Sequence, residues 1–231
     1  MTGRRTSTTD RKAAAEPVDQ LPAVVRCSWV GLADAEYQRY HDEEWGVPVG
    51  DDRALFEKMV LEGFQSGLSW LTILRKRQSF RDAFDGFAPE RIARYGERDV
   101  ARLMADAGIV RNRAKIEATI ANARAFLALS EHESFAGLLW RIAREDRPAG
   151  TGAIVYSPAD VPAASAASNR IAKTLKARGF RFVGPTTMYA FMQSVGMVND
   201  HIHACHRHAA CQKLQRAFKP PVHRGDIGKT S

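Results

Sequence analysis

The chain has 231 residues, 45% hydrophobic and 26% charged, as expected of a soluble globular protein of one or two domains. No stretch approaches membrane-spanning length, the N-terminus lacks a signal-peptide core, and three cysteines make no disulfide framework, so a reducing cytoplasm is expected. The net charge of +8 suits a polyanionic partner, although residues 212–231 carry +4 and residues 1–23 carry +1, leaving +3 for the body between them.

Residues 1–23 are small and polar without periodicity and read as a disordered tail. A first helix is predicted over Ala33–His41, with Tyr37, Tyr40 and His41 at i, i+3 and i+4. A second begins at Asp51 or Asp52, both suitable N-caps, and is expected to break at Gly63. It sets Leu55, Met59 and Glu62 on one face, and Phe56 and Val60 widen that face into an apolar stripe. Residues 68–77 form a third helix. Pro89 opens PERIARYG in the first helical turn. Val100, Leu103 and Met104 mark another helix, and Ile116, Ile120, Ala123 and Leu127 the next, with AGIVRNR between them. SFAGLLWRIARE is a further helix, and residues 146–164 form a loop rich in Pro, Gly and Ala. SAASNRIAKTLKARGF is a helix closed by Gly179, and PTTMYAFMQSVG, apolar nearly all round, is a central buried helix. Beyond Cys211 the chain reads as basic and aperiodic. With no convincing strand except a short run at Phe180–Val183, the expected class is all-α. The ordered body is expected over residues 24–211, followed by a basic tail over 212–231.

The stretch YHDEEWGVPVGDDRALFEKMVLEGFQSGLSW concentrates the chemistry. Glu62 ends an apolar stripe, and Trp70 follows across a Gln-Ser-Gly turn. An acid, a sharp bend and an aromatic in close succession suggest the wall of a small pocket, with a water-satisfied Glu at a frayed helix end as the alternative. Trp29, Tyr37, Tyr40, Trp45 and Trp70 are aromatic walls for a flipped base or else core packing. Cys27 and His41 near the start, with His201 and Cys205 near the end, would make a closed Cys2His2 metal site tying the ends of the body together. His203, His206, His208 and Cys211 are rival ligands in a crowded segment, and a His-rich solvated end with incidental Cys is the alternative to a metal site. In the turn 107–112, Gly108 permits a tight bend before a helix N-terminus, and Arg111, Arg113 and Lys115 add positive charge. Such a turn grips phosphate through its backbone, whereas a plain helix corner with solvated Arg is the commoner structure for this spacing.

The segments RCSWV, YHDEEWGVP, LFEKMVLEGFQSGLSWLTIL, DAGIVRNRAKI, ANARAF and KARGFRFVGPTTMYAFMQSVGMVNDH, with Cys205, resemble the 3-methyladenine DNA glycosylase I family from about Arg26 to Cys205. The departures are a loop after Trp29 one residue longer than usual and Phe64 where a polar residue is often found. Residues 1–23 and those after Cys211 have no counterpart.

The resemblance implies a helix–hairpin–helix DNA glycosylase domain with structural zinc on Cys27, His41, His201 and Cys205. It implies that Glu62 hydrogen-bonds the excised base, that Tyr40 and Trp70 stack on it, and that Gln65, Gly67 and Leu68 lie near the gap left by the flipped nucleotide. The expected activity is hydrolytic excision of 3-methyladenine from alkylated double-stranded DNA by a monomer. Many relatives in the superfamily carry a catalytic Asp after the hairpin, whereas residues 107–145 contain none. A substrate already cationic leaves readily without it. Lys115 is the one candidate for a strand-cleaving lysine and reads as a phosphate contact, so the expected chemistry is monofunctional. The rival readings are a zinc-stabilised DNA-binding module without catalysis and a metallohydrolase that uses the zinc.

Overall fold

Side-chain caps cut this chain into helices. The computed structural model describes residues 24–31, 33–146 and 155–221; the predicted disordered tail 1–23 lies outside them. Among the described residues there are ten α-helices and no strand: α1 Ala35–Glu43, α2 Asp52–Gln65, α3 Trp70–Ala83, α4 Pro89–Ile92, α5 Glu97–Ala105, α6 Arg113–Ser130, α7 Phe135–Glu145, α8 Ala166–Ala177, α9 Pro185–Ser194 and α10 His208–Ala217. No described helix is long and apolar enough to cross a membrane.

Helix α2 is the axis of the core. It packs against α3, α6, α7 and α9. Leu55, Phe56, Met59, Val60, Leu61 and Phe64 are all buried. Each such side chain contributes about 1.5–3 kcal/mol relative to exposure, so this one helix is fixed from several directions. The Phe56 ring meets Phe126 of α6 at 5.2 Å, and Phe126 meets Phe135 of α7 at 5.2 Å. Both candidate caps are used. The Asp51 carboxylate accepts from the Ala54 N–H and starts α2. The Asp52 carboxylate reaches across to accept from the backbone N–H groups of Phe135 and Ala136 and from the Ser134 hydroxyl, capping α7 instead.

Several expected boundaries move. Helix α2 does not break at Gly63; it runs to Gln65, and the bend falls at Ser66–Leu68, where Gly67 holds φ +82. Gly63 stays helical within α2 and packs closely on the loop after α8: a Cβ there would stand 3.4 Å from the Phe182 Cβ, an ordinary packing distance. Helix α3 begins only at Trp70, after a Ser69 cap, and extends to Ala83. The short strand expected at Phe180–Val183 does not form, because Phe182 takes φ +56 and breaks the extended backbone. The Asn122 side chain holds the segment, accepting from the Arg181 N–H at 2.7 Å and donating to its carbonyl at 3.1 Å. Among the described residues the chain beyond Cys211 is not aperiodic; residues 222–231 of the predicted basic tail lie outside them. Helix α10 continues to Ala217, Gln215 donates to the Gly46 and Val198 carbonyls, and Phe218 lies 4.6 Å from the Trp140 ring.

Candidate functional site

The five aromatic residues singled out in the sequence line a single cavity of about 290 Å³. Glu62, Gln65 and Asp200 are among its polar lining. Helix α2 brings in Glu62 on its last full turn, the Ser66–Leu68 bend reverses the chain, and Trp70 enters as the first residue of α3. Helix α1 packs across α3 and supplies Tyr40. The Tyr40 and Trp70 rings stand 5.4 Å apart, tilted by 44°. Trp29 closes the other side against Tyr37 and Trp45, each at 5.0 Å.

Glu62 is 4% exposed. Burial pushes its carboxyl up to about 7, and the nearby Lys58 charge and the Ser194 hydroxyl oppose that rise only in part. The site therefore holds an acid poised near neutrality, between aromatic walls. Beneath Tyr40 runs an ion network that sequence reasoning missed. Arg77 makes two hydrogen bonds to Glu44, at 2.5 and 2.9 Å, and Lys58 adds a third at 3.3 Å. Burial works against the Glu44 charge, yet Arg77 and Lys58 prevail and hold its carboxyl down to about 2. The Lys58 ammonium also sits 5.0 Å from the Tyr40 ring centroid. Asp200 was missed as well. Its Oδ2 accepts from the Tyr189 hydroxyl and the Gln193 amide, both at 2.8 Å. Its position beside His201 in a Val-Asn-Asp-His run was the available signal.

Cys27, His41, His201 and Cys205 come together as a buried quartet whose ligand atoms lie within 4.8 Å of one another, so the group could hold a metal ion. The Cys205 Sγ is 3.5 Å from His41 Nε2 and 3.5 Å from His201 Nδ1, and the Cys27 Sγ is 3.7 Å from His201 Nδ1. Tetrahedral bonds of ordinary zinc–sulfur and zinc–nitrogen length would separate such atoms by about 3.6 Å, so the residues fit the group. The outward nitrogens are also engaged, as metal-bound imidazoles require: His41 Nδ1 lies 2.7 Å from the Asp42 carboxylate and His201 Nε2 lies 3.1 Å from the Trp45 carbonyl. The rivals lie elsewhere. Cys211 faces the far edge of His201, 3.5 Å from Nε2; His206 bonds the Val25 carbonyl; His203 and His208 pack on each other. His201 and Cys205 meet across turns rather than along a helix.

The turn between α5 and α6 is only partly as expected. Asn112 caps α6 by accepting from the Lys115 N–H, and Arg111 is exposed. The Gly108 N–H, however, already donates to the Asp106 carboxylate at 2.7 Å. Arg113 pairs with Glu97 and Glu117. Lys115 does not point to solvent at all. Its buried ammonium donates to the Phe64 and Ser66 carbonyls at 2.8 and 2.6 Å, closing the C-terminal end of α2. Gln65 donates to the Leu68 carbonyl, and Leu68 stands 41% exposed at the tip of the bend.

A family model for methyladenine glycosylase matches residues 29–208. The chain belongs to the methyladenine glycosylase family. Within that family the DNA-3-methyladenine glycosylase 1 of Escherichia coli is 47% identical over 181 residues, which cover 78% of this chain and 95% of that protein. The DNA-3-methyladenine glycosylase of Haemophilus influenzae is 45% identical over 184 residues, covering 78% and 96%. A crystal structure of 3-methyladenine DNA glycosylase I superposes with a TM-score of 0.75 at 49% identity, covering 80% of this chain and all of that one. The methyladenine glycosylase match spans the aromatic cavity and three of the quartet residues; Cys27 lies two positions before it.

Proposed function

We propose that this methyladenine glycosylase excises 3-methyladenine from alkylated double-stranded DNA by hydrolysis, as a base excision repair enzyme acting as a monomer in the cytoplasm. The observation that carries the reading is a buried acid inside an aromatic cavity. N3-methylation makes adenine cationic and electron-poor, which favours stacking on Tyr40 and Trp70. A cation beside Glu62 favours the carboxylate form, so capture of the base and ionisation of the acid support each other. Water attacks C1′ of the sugar, a C–O bond forms as the glycosidic bond breaks, the electron pair of that bond neutralises the departing base, and the proton of the attacking water passes to solvent. Glu62 holds the base through that change, and no other residue of the cavity is required to donate a proton to so good a leaving group. Lys115 supplies no amine for strand cleavage, because both neighbouring carbonyls occupy its ammonium. This supports a monofunctional enzyme.

The DNA face in this reading carries Gln65, Gly67 and Leu68 at the vacated nucleotide position, and the turn around Gly108 presents Arg111 to the phosphates in the manner of a helix–hairpin–helix, joined by Arg113 where phosphate displaces its exposed partners Glu97 and Glu117. The metal in this reading is zinc, held by Cys27, His41, His201 and Cys205. Four protein ligands leave no position for water, so its contribution is to fasten residues 27–41 to 201–205 behind the cavity. Incubation with methylated duplex DNA followed by chromatography of released bases tests the function. Release of 3-methyladenine is expected; binding without any release would leave a DNA-binding module instead.

A further inference from the structure

Phe182 combines three features that packing alone does not account for. Its backbone sits at φ +56, a left-handed conformation that costs an L-residue energy. The residue is 40% exposed. The chain just before it is clamped on both sides by Asn122, a buried amide that bonds the Arg181 N–H and carbonyl. Phe87 makes the contrast. It too has a positive φ, of 55°, but its ring is fully buried and stacks on Phe84 at 5.8 Å, so burial offsets the strain. Phe182 has the same strain with far less burial to offset it.

Its position is specific. The Phe182 Cβ lies against Gly63, the residue that directly follows Glu62. Gly63, Phe64, Lys115 and Phe182 line one small crevice at the end of α2. From that crevice Lys115 reaches the Ser66 carbonyl, where the bend carrying Leu68 begins. Two exposed apolar side chains, Leu68 and Phe182, thus flank the same helix end, and the exposed Arg181 stands beside the second of them.

We propose that Phe182 is a second apolar wedge for duplex DNA, filling the space beside Leu68 when the damaged nucleotide leaves the stack. The proposal rests on the glycosylase reading and adds a contact to it. Extruding a nucleotide removes stacking from its neighbours, and an aromatic face restores part of it for any base sequence. A clamped, strained backbone keeps the ring out of the core and presents it at low entropic cost. Arg181 supplies charge complementary to the adjacent phosphate.

The test uses the full chain with Phe182→Gly and Phe182→Asn. Both replacements accept a left-handed backbone, so melting temperatures near that of the wild type are expected. The probe is a duplex with a stable abasic-site analogue, titrated at several salt concentrations. Binding should weaken on the order of 10-fold or more in both variants, with an unchanged salt slope, because stacking is lost and no phosphate contact is. Binding of free 3-methyladenine should stay at the wild-type level, since Phe182 does not line the aromatic cavity. Wild-type affinity for the abasic duplex in both variants would overturn the proposal, as would a parallel loss of free-base binding. Failure of the wild type to release 3-methyladenine from alkylated DNA would overturn the glycosylase reading, and the wedge with it.

Discussion

The ammonium of Lys115 donates to the carbonyl of Ser66 at 2.6 Å, fastening the first turn of α6 to the bend that follows α2. With its second bond to the Phe64 carbonyl, it satisfies two acceptors that the end of α2 would otherwise leave bare. Lys115→Met keeps the length of the stem and removes both bonds. A loss of about 3 kcal/mol is expected, because two partly buried carbonyls lose a charged donor. That corresponds to roughly 6–12 °C in melting temperature for a chain of this size. The salt slope of DNA binding should stay unchanged in Lys115→Met, whereas Arg111→Ala should flatten it by about one ion. Calorimetry and salt titration of the two variants check this. A flattened slope in Lys115→Met would return the residue to the phosphate surface.

The quartet predicts one bound zinc per chain and a fold that depends on it. Elemental analysis of the purified protein should find the metal. Cys205→Ser should lose it and melt lower, with excision at permissive temperature reduced no more than the folded fraction. A variant that keeps the wild-type melting temperature but loses excision would make the metal catalytic.

Burial of Glu62 predicts a pH dependence of stability. Its folded carboxyl titrates at about 7, against an ordinary value of 4.5 in the unfolded chain. Between those values the folded state binds more protons, so this group's contribution is fully favourable below about pH 4.5 and is lost as pH rises through about 7. Above that window the ionised acid costs about 3 kcal/mol in the free protein. Glu62→Gln should therefore melt higher than the wild type at about pH 8, with the difference shrinking towards pH 5. Melting curves at both pH values decide it; a constant difference would place the titration elsewhere.

The parts of this architecture that could be read from the sequence are those carried by local pattern. Helix α2 announces itself through consecutive Asp caps and an apolar stripe, and the cavity through five aromatics between Trp29 and Trp70. What stayed hidden depends on distant backbone. Lys115 bonds carbonyls that any residue would offer at positions 64 and 66, so no side-chain pattern marks the partnership. Asp200 acquires its cavity role from Tyr189 and Gln193 on the preceding helix. Helix α10 buries only Cys211, leaving no apolar stripe to detect. Gly63 looked like a breaker, yet it lies inside α2, held helical by the packing of its buried neighbours Glu62 and Phe64.

The two principal cavity residues should fail in different ways. Glu62→Gln keeps the shape of the side chain but replaces an acceptor with a donor and removes the charge beside the cationic base. A mismatch of this kind costs roughly 1–3 kcal/mol, or about 5- to 150-fold in the single-turnover rate. The loss stays partial because the methylated base already leaves readily. Trp70→Ala removes one of two walls whose rings stand 5.4 Å apart, so its effect should fall on capture of the base. Free 3-methyladenine should bind it on the order of 10-fold more weakly, while intact undamaged duplex binds as before. Single-turnover excision, measured beside free-base titration, separates the two effects. Wild-type excision by folded Glu62→Gln would make Glu62 a structural acid, and the base would have to be held by the second carboxylate of the cavity, Asp200.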